Sequence, residues 1–139
     1  MSAEIILDTN ALRLLADDEF IEKIKNECHN LVIPNVRSEI GSHFSNFISL
    51  IQRIGTELRG KFILFERADR VPRDIKRDLK NHRADENDVK VTGTAIRRRN
   101  KTGRPAIIVT NDSAFHQSHR LRNIIKVVYV DEALDVLDC

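Results

Sequence analysis

The sequence predicts an α/β domain built on a mainly parallel sheet with helices on both faces, and three observations predict it. Strand-length aliphatic runs, such as Ala106 to Val109 and Val127 to Val130, alternate along the chain with stretches of helical periodicity. Strands separated by helices need crossover connections, which lay helices against both faces of a parallel sheet. The clearest run, Ala106-Ile107-Ile108-Val109-Thr110, is apolar throughout rather than alternating, as in a strand covered on both sides. Finally, 139 residues, 41% of them hydrophobic, suffice for one core and fall short of two full domains.

Taken in order, Glu4-Ile5-Ile6-Leu7-Asp8 reads as a short buried strand, and Thr9-Asn10 followed by Ala11, Leu12, Leu14 and Leu15 as a helix that starts directly after it. A second helix, roughly Asp18 to Cys28, turns Phe20, Ile21 and Ile24 inward. Asp17, Asp18 and Glu19 lie near its N-terminus, where negative charge suits the helix dipole. A strand from Asn30 to Ile33 runs into Pro34. From Val36, the apolar positions Ile40, Phe44, Phe47, Ile48, Ile51, Ile54 and Leu58 follow steps of three and four along one helix face until Gly60 stops it. Lys61 to Arg67 is a strand-length run, and Val71-Pro72 opens a short, strongly charged helix. Residues 84 to 100 form a helix whose stripe is Asp88, Val91, Thr92, Ala95 and Ile96, and Gly103-Arg104-Pro105 breaks it before the strand at Ala106. A short helix from Ser113 to about His119, a strand from Lys126 to Val130 and a terminal helix from Asp131 complete the alternation.

Composition removes several function classes. No apolar stretch is long enough to span a bilayer, and no basic segment followed by an apolar one opens the chain, so a cytosolic location is expected. Cys28 and Cys139 form neither a CxxC nor a Cys/His ladder, which leaves no disulfide framework and no structural zinc signature. The net charge of +2 hides an uneven distribution. Residues 1 to 66 hold 7 Lys/Arg against 10 Asp/Glu, residues 67 to 104 hold 13 against 6, and residues 105 to 139 hold 3 against 5. A basic middle of this kind marks a polyanion-binding surface or a solvated basic helix.

The acids carry more chemistry. In parallel sheets, functional groups gather beyond the C-terminal ends of the strands. Asp8 directly follows the first strand and Asp112 follows the central one after Thr110-Asn111, so both fall at that edge. Each alone is explained as a helix N-cap, worth about 1 kcal/mol. Two more acids strain that explanation. Glu39 lies in the first turn of the long helix at the border of its apolar face, and Asp88 heads an otherwise apolar stripe. A carboxylate turned inward needs a donor, a basic partner or a cation. If Asp8, Glu39, Asp88 and Asp112 converge, repulsion raises some pKa values unless a divalent metal is present, and an all-oxygen site suits Mg2+ or Mn2+.

At these residues the chain resembles a known family. IILDTNALRLLA at the N-terminus, IPNVRSEI around Glu39, DVKVTGTA from Asp88 to Ala95 and IIVTNDSAF around Asp112 are similar to the four acidic motifs of PIN-domain proteins, in the same order and across essentially the whole chain. The resemblance implies a three-layer α/β/α fold and a metal-dependent endoribonuclease that hydrolyses RNA phosphodiester bonds. It implies Asp8, Glu39, Asp88 and Asp112 as the metal-site and catalytic acids, with Asn10 and Thr110 as supporting hydrogen-bonding groups. Such a metal polarises the scissile phosphate and lowers the pKa of an attacking water. Asp88 takes the third position because its spacing to Ala95 matches the family. Asp85, three residues earlier, is a candidate fifth acid, although with Glu86 it is first explained as charge at a helix N-terminus. Many members of the family are toxins of toxin-antitoxin pairs and others process RNA, so an antitoxin protein and a second copy of the chain join RNA as partners the resemblance implies. A PIN-like fold used as a noncatalytic RNA-binding or protein-interaction module is the alternative.

In the basic middle, Arg97, Arg98, Arg99, Lys101 and Arg104 end the helix that Asp88 begins, roughly 15 to 20 Å away at about 1.5 Å per residue. They are the expected RNA-binding residues, tracking the backbone together with Arg70, Arg73, Lys76, Arg77, Lys80 and Arg83. Arg97 to Arg99 are equally explained as complements of a helix C-terminus. His116 and His119 form an H-x-x-H with no further ligands at suitable spacing, so surface histidines are expected. His82, beside Arg83, is a weak candidate for phosphate contact. Aromatic content of only 5% gives no sign of base-stacking platforms. Two rival readings fit poorly: a haloacid-dehalogenase-like phosphatase wants an Asp where Asn10 stands, and a receiver domain wants a Lys at the end of its last strand, whereas Lys126 begins one.

Overall fold

Aliphatic runs with no alternation can be satisfied only by burial on both faces, and in the computed structural model they become the middle of a sheet. Residues 2–137 are described, apart from the side chains of residues 37–46. The strands are β1 (Glu4–Leu7), β2 (Asn30–Pro34), β3 (Phe62–Glu66), β4 (Ala106–Val109) and β5 (Lys126–Val128). All pair in parallel in the order β3-β2-β1-β4-β5, with Glu4 opposite both Asn30 and Ala106, and Leu7 opposite Val109. The wholly aliphatic β4 and the Ile-Ile-Leu of β1 are fully buried side by side, while the mixed run of β3 is half-exposed at one edge.

The connections place the helices. The chain steps from β1 to β2 to β3 in one direction, then crosses back to β4 on the far side of β1. Right-handed crossovers therefore put the helices of the first two connections on one face and those of the later ones on the other. The first face carries a 3-10 helix (Thr9–Ala16), α1 (Asp18–Asn26), α2 (Arg37–Glu57) and a terminal 3-10 helix (Val130–Val136), which contact one another. The second carries α3 (Arg73–Asn81), α4 (Glu86–Thr102), α5 (Ser113–Gln117) and α6 (His119–Arg122). The layers are thus α/β/α, as expected. Among the described residues no helix is long and apolar enough to cross a membrane.

Local chemistry sets the boundaries. Lys61, just before β3, donates from Nζ to the carbonyl oxygens of Ile24, Lys25 and Glu27 at 3.2, 3.0 and 2.6 Å, capping the end of α1. Gly103 ends α4 in the left-handed conformation, with its N–H on Arg99 O. Three helices differ from their prediction, and the terminal one, Val130–Val136, is a 3-10 helix. The segment after Asp8 winds as a 3-10 helix rather than an α-helix. The helix expected from Ser113 to His119 is broken in two, because Ser118 turns extended and its hydroxyl accepts from Leu121 N while donating to Asp78 of α3 at 2.7 Å.

α4 packs across β1 and β4 and is fixed at two places. At Gly93 the loop before α3 comes so close that a Cβ would lie 2.4 Å from Asp69 O. One turn on, Arg98 is buried: its Nε donates to Glu4 Oε1 at 2.7 Å and its Nη1 to Glu66 Oε2 at 3.0 Å. Arg97 pairs with Glu66 and Asp69 at 3.3 and 3.0 Å, and Arg104 reaches Glu4 at 3.6 Å. Burial pushes the Glu66 carboxyl up, but the hydrogen bond from Arg98 and the charges of Arg97 and Arg98 outweigh it and hold the pKa below the ordinary value.

Candidate functional site

The reversal of strand order falls between β1 and β4, and parallel sheets open a crevice beyond the C-terminal ends of the two strands flanking such a point. Asp8 follows β1 and Asp112 follows β4, one on each side of it. α4 runs back across both strands and brings Asp88, in its first turn, to the same crevice. The carboxylate oxygens of Asp8, Asp88 and Asp112 lie within 4.8 Å of one another. They share a cleft of about 410 Å3 with Thr9, Asn10, Arg13, Phe47 and Asp85.

Each acid is held by a local device. The buried hydroxyl of Thr110 donates to Asp8 Oδ2 at 2.7 Å and accepts from Asp112 N at 3.0 Å, so one side chain at the end of β4 clamps two of the three acids. Asp8 Oδ1 accepts from Thr9 N, and Asp112 Oδ1 accepts from Ala114 N at the start of α5. Asp88 forms a reciprocal capping box with Asp85: Asp88 Oδ2 accepts from Asp85 N and Asp85 Oδ1 from Asp88 N, both at 2.9 Å. Asn10 Oδ1 accepts from Asn111 N, and Asn111 Oδ1 from Val130 N, which ties the loops around the crevice together.

Electrostatics make this arrangement unstable by itself. Asp88 is pushed up to about 7, chiefly by burial; the hydrogen bond from Asp85 N opposes the shift, and the nearby charges of Asp112, Asp85 and Asp8 add to it. Thr9, which borders the cleft, has its Oγ1 buried with no hydrogen-bond partner among the described residues. Three crowded carboxylates form an oxygen-only donor set, which fits a hard divalent cation such as Mg2+ or Mn2+.

Against the sequence expectations, the structure brings Asp8, Asp88 and Asp112 together and puts Thr110 and Asn10 beside them in hydrogen-bonding roles. Asp85 is at the cleft as well, but one of its oxygens is occupied as an N-cap. The Glu39 side chain lies outside the described residues. The expected RNA-binding run is corrected. Arg98 is buried between Glu4 and Glu66 and Arg97 pairs with Glu66 and Asp69, so these two hold α4 on the sheet, while Arg104, just past its end, is half-exposed and reaches Glu4 at 3.6 Å. Arg99 and Lys101 are exposed at the far end of α4. His116 is half-buried: its Nε2 donates to Thr110 O at 2.7 Å and its ring stacks on Tyr129 at 3.6 Å, whereas His119 accepts from Arg122. The cleft also takes in Arg13, for which the sequence offers no role, and Phe47, which the sequence reads only as part of an apolar helix face. Arg13 reaches the cleft because a 3-10 helix, at three residues per turn, aligns it with Asn10, a winding that the local pattern does not reveal.

The chain matches no protein-family model, and no curated protein matches it. Among solved structures it is similar to the crystal structure of PAE2754 from Pyrobaculum aerophilum, with 17% identity, coverage of 99% of this chain and 98% of that chain, and a TM-score of 0.49.

Proposed function

We propose that the chain is a metal-dependent endoribonuclease that hydrolyses RNA phosphodiester bonds. One observation carries the reading: carboxylate oxygens of Asp8, Asp88 and Asp112 within 4.8 Å of one another at the reversal point of the sheet. RNA as the substrate comes from the resemblance of the four acidic motifs to PIN-domain proteins.

Asp8, Asp88 and Asp112 are the residues that would hold the cation. When bound there, Mg2+ or Mn2+ supplies charge stabilisation for a phosphodiester oxygen and lowers the pKa of an attacking water. The protein's own part is to preorganise. Thr110 fixes the oxygens of Asp8 and the backbone of Asp112 before anything binds, which spares the site a reorganisation during reaction. Asp88 holds a proton up to about pH 7 and must release it to serve as a ligand, so binding of the cation strengthens as pH rises to neutrality. Arg13 offers a positive charge at the rim that attracts and orients the phosphate.

The test is cleavage of a mixed panel of RNAs with Mn2+, Mg2+ or EDTA, comparing the wild type with Asp8→Asn. Metal-dependent cleavage, reduced more than about 100-fold by the substitution, is the expected result; loss of an outer partner alone costs about 10- to 100-fold. Cleavage that survives both EDTA and Asp8→Asn overturns the reading. RNA binding with no cleavage under either metal favours a noncatalytic module.

A further inference from the structure

The basic middle of the chain divides into two groups in the fold. At the far end of α4, Arg97, Arg98 and Arg104 are neutralised by Glu4, Glu66 and Asp69. At its near end, a separate cleft of about 330 Å3 opens between the loop before α3, α3 itself and the start of α4, and it is lined by Arg70, Arg73, Lys76 and Lys90 over the buried Val71. All four cations are exposed, and the ion pairs of the described residues include none of them. The single acid in the lining, Asp69, is already paired with Arg97 at 3.0 Å. Glu86 nearby feels the charges of Lys76 and Lys90 but pairs with Lys80 at 2.8 Å, so a net positive charge stays concentrated in this concave surface, Arg70 and Arg73 above all.

We propose that this cleft binds the phosphate backbone of single-stranded RNA, an inference that rests on the nuclease reading for its choice of ligand. Placement favours it. Lys90 in the cleft and Asp88 at the carboxylates are two residues apart on α4, about 3 Å along its axis but about 200° around it, so the cleft and the acids flank the first turn of the helix from nearly opposite sides. A strand seated in the cleft reaches the carboxylates by passing over the first turn of α4. The lining has cations and aliphatic groups but no aromatic ring, so it recognises the backbone and not the bases. The exposed large apolar side chains, Ile48, Leu64, Ile124 and Tyr129, lie outside it, which leaves a lipid surface nothing to take up there.

Binding of the full chain to fluorescently labelled single-stranded RNAs of different sequence, in EDTA and across a KCl series, tests the assignment. Arg70→Glu/Arg73→Glu is compared with Lys25→Glu/Arg59→Glu, which changes the net charge equally at exposed positions on the other helical face. The expected result is a loss of at least tenfold in affinity for the first pair on every RNA, with the slope of log K against log salt flattened by roughly 1.4, two contacts at about 0.7 each. The second pair stays within about twofold. Arg70→Gln/Arg73→Gln, which adds no negative charge, reproduces the direction in a milder form. Equal loss in both Glu pairs, intact binding in the first pair, or a wild type that binds vesicles containing phosphatidylserine but not RNA overturns the proposal. Asp8→Asn separates the two readings, since it abolishes cleavage in Mn2+ and leaves RNA affinity in EDTA intact. If no RNA is cleaved but the Arg70/Arg73 variants lose binding, the cleft stands and the nuclease reading falls.

Discussion

Asp88 combines, in one carboxyl, the burial expected of a core residue and the charge expected of a ligand. In the metal-free protein its folded pKa of about 7 lies above the ordinary carboxyl value of 3.8. Between those two values the native state keeps a proton that the unfolded chain has released, so stability is highest below the lower value and declines as pH rises through 7. The decline is at most about 4 kcal/mol at about 1.36 kcal/mol per unit. Urea unfolding in EDTA should therefore show a lower midpoint at pH 8 than at pH 5, and Asp88→Asn should flatten the difference. The same pH dependence in both proteins would show that another group causes it. Asp88 was legible in the sequence because an acid in an apolar stripe has few explanations. Arg98 was not, because Arg97, Arg98 and Arg99 look alike in a row, and only the position of Glu4 distinguishes the buried one.

At the scale of elements, α4 does the positioning. Its N-terminal turn holds Asp88 through the capping box, its middle is pressed against the Asp69 loop at Gly93, and its last turns are anchored by Arg98. Glu4 is fully buried, so Arg98→Met removes its closest cation and leaves the carboxylate only the Asn30 amide at 2.8 Å and Arg104 at 3.6 Å. Breaking a buried pair from one side costs about 3 to 5 kcal/mol, and replacing both partners costs less. Thermal unfolding should show a large loss for Arg98→Met that is partly recovered by adding Glu4→Gln; no recovery in the double variant would mean that packing, and not the poorly compensated charge of Glu4, sets the loss. Most elements were readable because their periodicity and stops are local: the long run from Val36 to Leu58 is seen as α2, and the mixed run Lys61 to Arg67 contains β3. The 3-10 winding after Asp8 and the break at Ser118 were not. The break at Ser118 is fixed by a bond to a distant partner, Asp78, and the 3-10 segment also carries one, from the Asn111 backbone to Asn10.

For the molecule as a whole, the reversal of strand order sets the site, and the site should in turn support the fold. A ligand that binds only the native state stabilises it by RT ln(1 + [L]/Kd), about 2.7 kcal/mol at a hundredfold excess over Kd. Thermal melts should rise with added Mn2+ or Mg2+ and fall back in EDTA for the wild type, but stay level for Asp8→Asn. A wild type insensitive to both ions would contradict a metal centre at these acids. The α/β class, nearly every element and the candidacy of Asp8, Asp88 and Asp112 were determined by the sequence alone, because hydrophobic periodicity, helix stops and acids placed directly after strands are written in neighbouring residues. Which strands became neighbours, which acids share a crevice and which arginines remain open to solvent were decided only by the tertiary structure. Those outcomes depend on pairs such as Glu4 with Arg98 and Asp8 with Thr110, separated by about a hundred residues, and no local pattern records a contact across that distance.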